Sequence, residues 1–151
     1  MSYFWYAVRI LLRLILRRPL VGACVIPILS DGSVVLIRRK DSGRWGLPGG
    51  LIDWGEDIVT AARRELVEET GLRLIAVERL VGVYSAPYRD SRFHSICVAL
   101  ATTVEGTPEV ADPQEVLEVQ AFSLSEVSQL NLSHDHTRQL QDYVCGRTTL
   151  A

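Results

Sequence analysis

Cysteine is scarce in this sequence: Cys24, Cys97 and Cys145 are the three it has in 151 residues. An odd number at wide spacing argues against a disulfide framework, and no pair has the spacing of a zinc site. Free thiols in a reducing, cytoplasmic setting are therefore expected. Net charge is nearly absent as well, at −2, which removes any reason to expect non-specific nucleic-acid binding. Repeats, low-complexity tracts and linkers are missing too. What remains is an ordinary globular composition, 48% apolar and 23% charged, of a length that suits one domain.

Charge is unevenly spread despite the small total. Residues 1–20, "MSYFWYAVRILLRLILRRPL", hold four arginines and no acid. Arg9, Arg13 and Arg17 recur at i,i+4 and form one stripe of a helix, with Trp5, Val8, Leu11, Leu12, Ile15 and Leu16 over the rest. Pro19 should end that helix by Arg18. A span of roughly 15 residues is about 22 Å long, short of a hydrocarbon core of ~30 Å, so no membrane crossing is expected. Arginines inside and after the apolar run also fit a secretory signal poorly. Residues 1–18 are expected to be a basic amphipathic appendage to a domain at 19–151. It would dock on the domain or across a homodimer, with contact to an anionic membrane surface as the alternative.

From Leu20 the pattern turns strand-like. "LVGACVIPIL" leads through an Asp31-Gly32 turn signal into "SVVLIRR". "DSGRWGLPGG" (Asp41–Gly50) reads as loop, with Trp45 packing beneath it. A helix over Asp57–Thr70 follows, closed by Gly71. "LRLIAVERLVGVYS" and "HSICVALATTV" read as strands around the loop "APYRDSRF", and "EVQAFSL" as another. Helices near Ser125–Leu130 and Asp135–Val144 finish the chain, the last capped by Ser133 or Asp135. "SHDH" at Ser133–His136 is a poor metal site, because i,i+2 spacing does not bring two rings to one helical face. This mixture of strands and helices predicts an α/β sandwich.

On the expected helix Glu65 lies three residues from Glu68 and four from Glu69, so the three share a face. Like charges at i,i+4 repel, and either solvent or a cation must relieve them. Carboxylate oxygens are ligands that Mg²⁺ and Mn²⁺ prefer. The glycines of "LPGG" permit close approach of backbone to phosphate, and Arg64 can grip a carboxylate with two parallel hydrogen bonds.

The run Gly50, five residues, Glu56, seven residues, Arg64-Glu65-Leu66, one residue, Glu68-Glu69, one residue, Gly71-Leu72 resembles the complete signature of the Nudix hydrolases. A chance match of its seven fixed residues has a probability on the order of 10⁻⁸ per starting position. "LIRRKDSGRWGLPGG" is similar to the lead-in strand and loop of that family, and the likeness covers about residues 20–145. It implies a Nudix-type α/β/α sandwich with a mixed sheet, and hydrolysis of a nucleoside diphosphate linked to another group, dependent on Mg²⁺ or Mn²⁺. By position it makes Glu65 and Glu69 direct metal ligands, Glu68 a ligand or one held through water, and Glu56 an auxiliary ligand and partner of Arg64. The general base is Glu65 or a loop glutamate, Glu115 ahead of Glu118. Gly49, Gly50 and Arg39 become substrate contacts. Pro87 resembles a marker of the ADP-sugar branch and Tyr88 one of the dinucleoside-polyphosphate branch. Arg89 and Arg92 would meet phosphate, or else be solvated loop charges, and Tyr88 or Phe93 would stack on a base. ADP-ribose, cleaved to AMP and ribose 5-phosphate, is the expected substrate. Nucleoside triphosphates and dinucleoside polyphosphates are the alternatives, and a non-catalytic nucleotide sensor is the alternative of another kind.

Overall fold

The computed structural model describes residues 5, 8–10, 12, 18–90 and 93–151. Eight strands form one mixed sheet. They are β1 (Leu20–Ile28), β2 (Val34–Arg39), β3 (Trp45–Gly46), β4 (Gly49–Leu51), β5 (Arg73–Tyr84), β6 (Ser95–Glu105), β7 (Val116–Phe122) and β8 (Thr149–Leu150). Among residues 18–90 and 93–151 the helices are α1 (Ile58–Thr70), α2 (Leu124–Val127) and α3 (His136–Val144). The central path runs β3-β2-β1-β6-β5-β8, while β4 pairs with β1 and β7 with β2. β1 runs parallel to β6, and both of its other partners run antiparallel to it.

Alternation along β1 builds the two cores. Ala23 and Val25 point to one face, where they meet Ala61, Ala62 and Leu66 of α1. Cys24 and Ile26 point to the other, where Val127 of α2 and Leu140 of α3 cover them. Both faces of the strand are buried, so it reads as a continuous apolar run. A fully buried leucine such as Leu66 contributes about 1.5–3 kcal/mol. The result is a helix–sheet–helix sandwich, as the sequence predicts.

Helix α1 begins where Asp57 Oδ1 accepts the Thr60 N–H at 2.9 Å and ends at Gly71 (φ 69°), whose N–H reaches the Val67 carbonyl. These are the boundaries expected, because both stop signals are local. The stretch Asp41–Gly50 is not wholly loop: it contains β3 and the start of β4, which pair with β2 and β1. Trp45 does pack, edge-on against Phe122 with ring centroids 4.9 Å apart. The expected Ser125–Leu130 helix is a single turn, set by a Ser123–Glu126 capping box. Strand β8 pairs two residues with Gly82 and Val83, too short a run to leave a periodic signal. Residues 5, 8–10 and 12 are helical, and the rest of the expected N-terminal helix lies outside the described residues. Among the described residues, no helix is long and apolar enough to cross a membrane.

Candidate active site

The LPGG loop, α1 and the loop before β7 open onto one cleft of about 460 Å³. The pairing of β4 with β1 sets its floor, with Gly49 opposite Cys24 and Gly50 opposite Ala23. Side chains would not fit there. A Cβ on Gly49 (φ 148°) would strike the Ala23 carbonyl, and one on Gly50 would strike the Glu65 carboxylate. Gly50 therefore makes room for Glu65. Gly50→Ala is expected to displace that carboxylate and lower kcat by roughly 10–100-fold, with little change in unfolding temperature; steady-state kinetics beside a thermal melt would show it.

Arg64 organises the acids of α1. Its Nε and Nη2 donate to the two oxygens of Glu56 at 3.0 and 2.9 Å, and Nη2 also donates to the Leu51 carbonyl at 3.0 Å. Its Nη1 donates to Glu65 Oε1 at 2.8 Å and to Glu68 Oε2 at 3.2 Å. Glu56 also accepts the Asp53 N–H, so both its oxygens are engaged, and the Arg64 guanidinium holds its carboxyl below the usual range. In this arrangement Glu56 anchors Arg64 and does not line the cleft, whereas Glu65 and Glu68 do.

Glu69 is buried against the floor of the cleft, where Gly49 lies. It is 3% exposed, and its Oε2 accepts the Gly49 N–H at 2.8 Å. Burial pushes its carboxyl up to about 8, against the pull of that hydrogen bond, and the negative charge of Glu65 adds to the rise. Burial also raises Glu65, against the pull of Arg64. Glu115 faces the same cleft and its charge bears on both.

Among the described residues, no three carboxylate, imidazole or thiol groups already converge on one point as metal ligands do. The donor chemistry nonetheless fits a hard divalent cation. The candidate ligands are all carboxylate oxygens, Glu65 and Glu68 line the cleft, and Gly50 leaves room for the Glu65 carboxylate.

The cleft lining also includes arginines and a histidine. Arg39 lines the cleft with its guanidinium steadied by Asp41 at 3.0 and 3.1 Å. Arg89 is not a solvated loop charge. It is buried, gripping both oxygens of Asp135 at 2.9 and 2.7 Å and donating to Ser95 Oγ at 2.6 Å. Asp135 consequently makes no side-chain cap for α3, although it occupies the cap position, and Ser133 does not occupy it. His136, in the motif set aside as a metal site, has a structural bond instead. Its Nδ1 accepts the Leu47 N–H at 2.9 Å, so the ring proton sits on Nε2 and faces Cys24 Sγ at 3.5 Å. Burial pushes its pKa far down and keeps the ring neutral.

Other sequence candidates fall elsewhere. Pro87 and Tyr88 are not among the residues that line the cleft, and Tyr88 is 87% exposed. Phe93 does line it. Arg92 lies outside the described residues. Glu118 sits within β7 and pairs with Arg38 at 3.5 Å on the surface, away from the cleft that Glu115 enters. Sequence reasoning missed Ser95 and His136 as parts of the cleft lining and Asp135 as the partner of Arg89, since nothing local links them to β1 or the LPGG loop.

A family model described as the NUDIX domain matches residues 18–143. The ADP-ribose pyrophosphatase of Methanocaldococcus jannaschii is 37% identical over 118 residues, which are 76% of this chain and 68% of that protein. A Bacillus subtilis protein provisionally named an 8-oxo-dGTP diphosphatase is 32% identical, over 83% of this chain and 80% of its own length. Among solved structures, a MutT NUDIX hydrolase from Burkholderia pseudomallei superposes with a TM-score of 0.73 at 31% identity, covering 83% of this chain and 98% of that one.

Proposed function

The chain belongs to the Nudix hydrolase family, pyrophosphohydrolases that act on phosphorus-containing anhydrides, and from that membership we propose that it hydrolyses ADP-ribose to AMP and ribose 5-phosphate. The substrate reading rests on the archaeal relative's name and on a cleft lined by acids and by Arg39. The observation that supports the hydrolase chemistry is the gathering of Glu65, Glu68 and Glu115 on one cleft, beside the glycine floor to which Glu69 is bonded.

In this proposal Glu65 and Glu69, with Glu68, hold Mg²⁺ or Mn²⁺. The cation, when bound, neutralises phosphoryl oxygens and acidifies a water for attack on phosphorus. The chain's own residues do the rest. Arg64 keeps Glu65 and Glu68 oriented, with Glu56 fixing Arg64 from behind. Gly49 and Gly50 let the diphosphate approach the floor, and Arg39 faces its charge. Glu115 takes the proton of the attacking water, and the bond to the departing phosphate breaks as the new P–O bond forms. Glu115→Gln should lower kcat by roughly 10²–10³-fold at unchanged KM and remove the acidic limb of the pH–rate profile. If that limb survives in the Gln variant and vanishes in Glu65→Gln, the base is Glu65.

A second reading, hydrolysis of nucleoside triphosphates, is favoured by the Bacillus relative's name and by Pro87 lying off the cleft. The test is a panel of ADP-ribose, other nucleoside-diphosphate sugars, diadenosine polyphosphates and nucleoside triphosphates, with Mg²⁺, with Mn²⁺ and with chelator. Metal-dependent AMP from ADP-ribose well above all other products supports the first reading. Pyrophosphate from triphosphates replaces it with the second, and no turnover at all favours a sensing role.

A further inference from the structure

The LPGG loop is held from both layers of the sandwich. On the α3 side, His136 Nδ1 accepts the Leu47 N–H at 2.9 Å, and the Ser133 N–H donates to the Trp45 carbonyl at 2.7 Å. On the α1 side, Glu69 Oε2 accepts the Gly49 N–H at 2.8 Å. Pro48 stands between those two amides, with its φ fixed by the ring and its carbonyl accepting the Val25 N–H at 2.9 Å. A displacement of Leu47 is therefore carried to Gly49 with little slack.

The Ser133 and Val25 bonds are made by backbone and do not depend on which side chains those residues carry. The Leu47 bond depends on the His136 side chain, and the structure around it is fitted to that ring. A Cβ on Gly46 would come within 2.9 Å of Nδ1, so the ring lies against backbone that glycine leaves open. His136 and Leu47 are both buried, so neither partner can turn to water instead. Burial pushes the imidazole down to about 3, and Nδ1 keeps the lone pair that accepts the bond at any ordinary pH.

We propose that His136 is a positioning residue for the glycine floor: by holding Leu47 it sets where Gly49 meets Glu69, and through Glu69 it sets the affinity of the site for a divalent cation. The cation half rests on the reading of Glu69 as a metal ligand, and the floor half does not.

Two substitutions separate the acceptor from the volume. His136→Asn keeps an oxygen where Nδ1 stands and leaves a gap in place of the ring, whereas His136→Leu fills much of that gap and offers no acceptor. Packing by itself would favour the Leu variant. Each protein is measured twice, by NMR for hydrogen exchange of the Gly49 amide in chelator, and by electron paramagnetic resonance for Mn²⁺ binding at neutral pH. In His136→Leu the Gly49 amide should exchange roughly tenfold faster and Mn²⁺ should bind roughly tenfold more weakly. In His136→Asn both should stay within about threefold of the wild type, although its thermal melt is expected to be the lower of the two. Should the Leu variant fail to fold, His136→Met offers the same comparison with a side chain that adapts to the gap. Unchanged Gly49 exchange in the variant without an acceptor overturns the proposal, and so do losses that follow thermal stability instead of the acceptor. Equal Mn²⁺ affinity in all three proteins overturns the cation half and leaves the metal reading intact. A wild type that binds no Mn²⁺ overturns the cation half together with the metal reading, and the exchange pattern then decides the floor half.

Discussion

Glu69→Gln will lower turnover by roughly 10³-fold or more and yet stabilise the metal-free protein above neutral pH. The two effects have one cause. Glu69 is buried at the floor of the site, where burial moves its carboxyl from an ordinary 4.5 to about 8. Between those values the folded state holds a proton that the unfolded chain has released. Stability is therefore full below the lower value and drains away as pH rises through about 8. A shift of this size corresponds to roughly 3–5 kcal/mol, an upper figure that relaxation of the site will reduce. Glutamine has the same shape, still offers an oxygen to the Gly49 N–H, and carries no charge to desolvate. Thermal melts in chelator should show the wild type losing stability from pH 6 to pH 9 relative to the Gln variant. Adding Mg²⁺ at pH 9 should restore the wild type and leave the variant unmoved. Parallel pH curves for the two proteins would remove Glu69 from the proposed metal site.

Arg64→Ala will cost both stability and activity, and Arg64→Lys will recover little of either. The guanidinium makes four hydrogen bonds to three carboxylates and a fifth to the Leu51 carbonyl, using its planar fork on Glu56. An ammonium is a point charge and cannot reproduce the paired geometry. Removing the cation leaves Glu56 and Glu65, both largely shielded from water, without their counter-charge. Such losses correspond to a fall in Tm of roughly 5–10 °C for a chain of this length. The activity loss should appear in kcat more than in KM, because Arg64 acts on the substrate only through the acids it orients. A Lys variant with wild-type kcat would show that Arg64 supplies charge alone.

Much of this protein is legible in order along the chain. The helix from Asp57 to Gly71 carries its own start and stop, so its face of glutamates follows from periodicity. The alternation Ala23, Cys24, Val25, Ile26 forces a strand with two buried faces and hence helices on both sides. Arg64's reach to Glu65 and Glu68 is a matter of helical spacing too. The cation side of the cleft is different. Arg89 meets Asp135 across 46 residues, and His136 meets Leu47 across 89.

The sequence by itself determined the family, the sandwich and the shared helical face of Glu65, Glu68 and Glu69, because each is written in neighbouring residues whose spacing sets their direction. Tertiary structure alone decided which acids are buried, that Glu56 serves Arg64, and that Arg89 is locked in an ion pair while Tyr88 stays in solvent. Burial and long-range pairing depend on which strands become neighbours, and that is a property of the assembled sheet rather than of any local stretch.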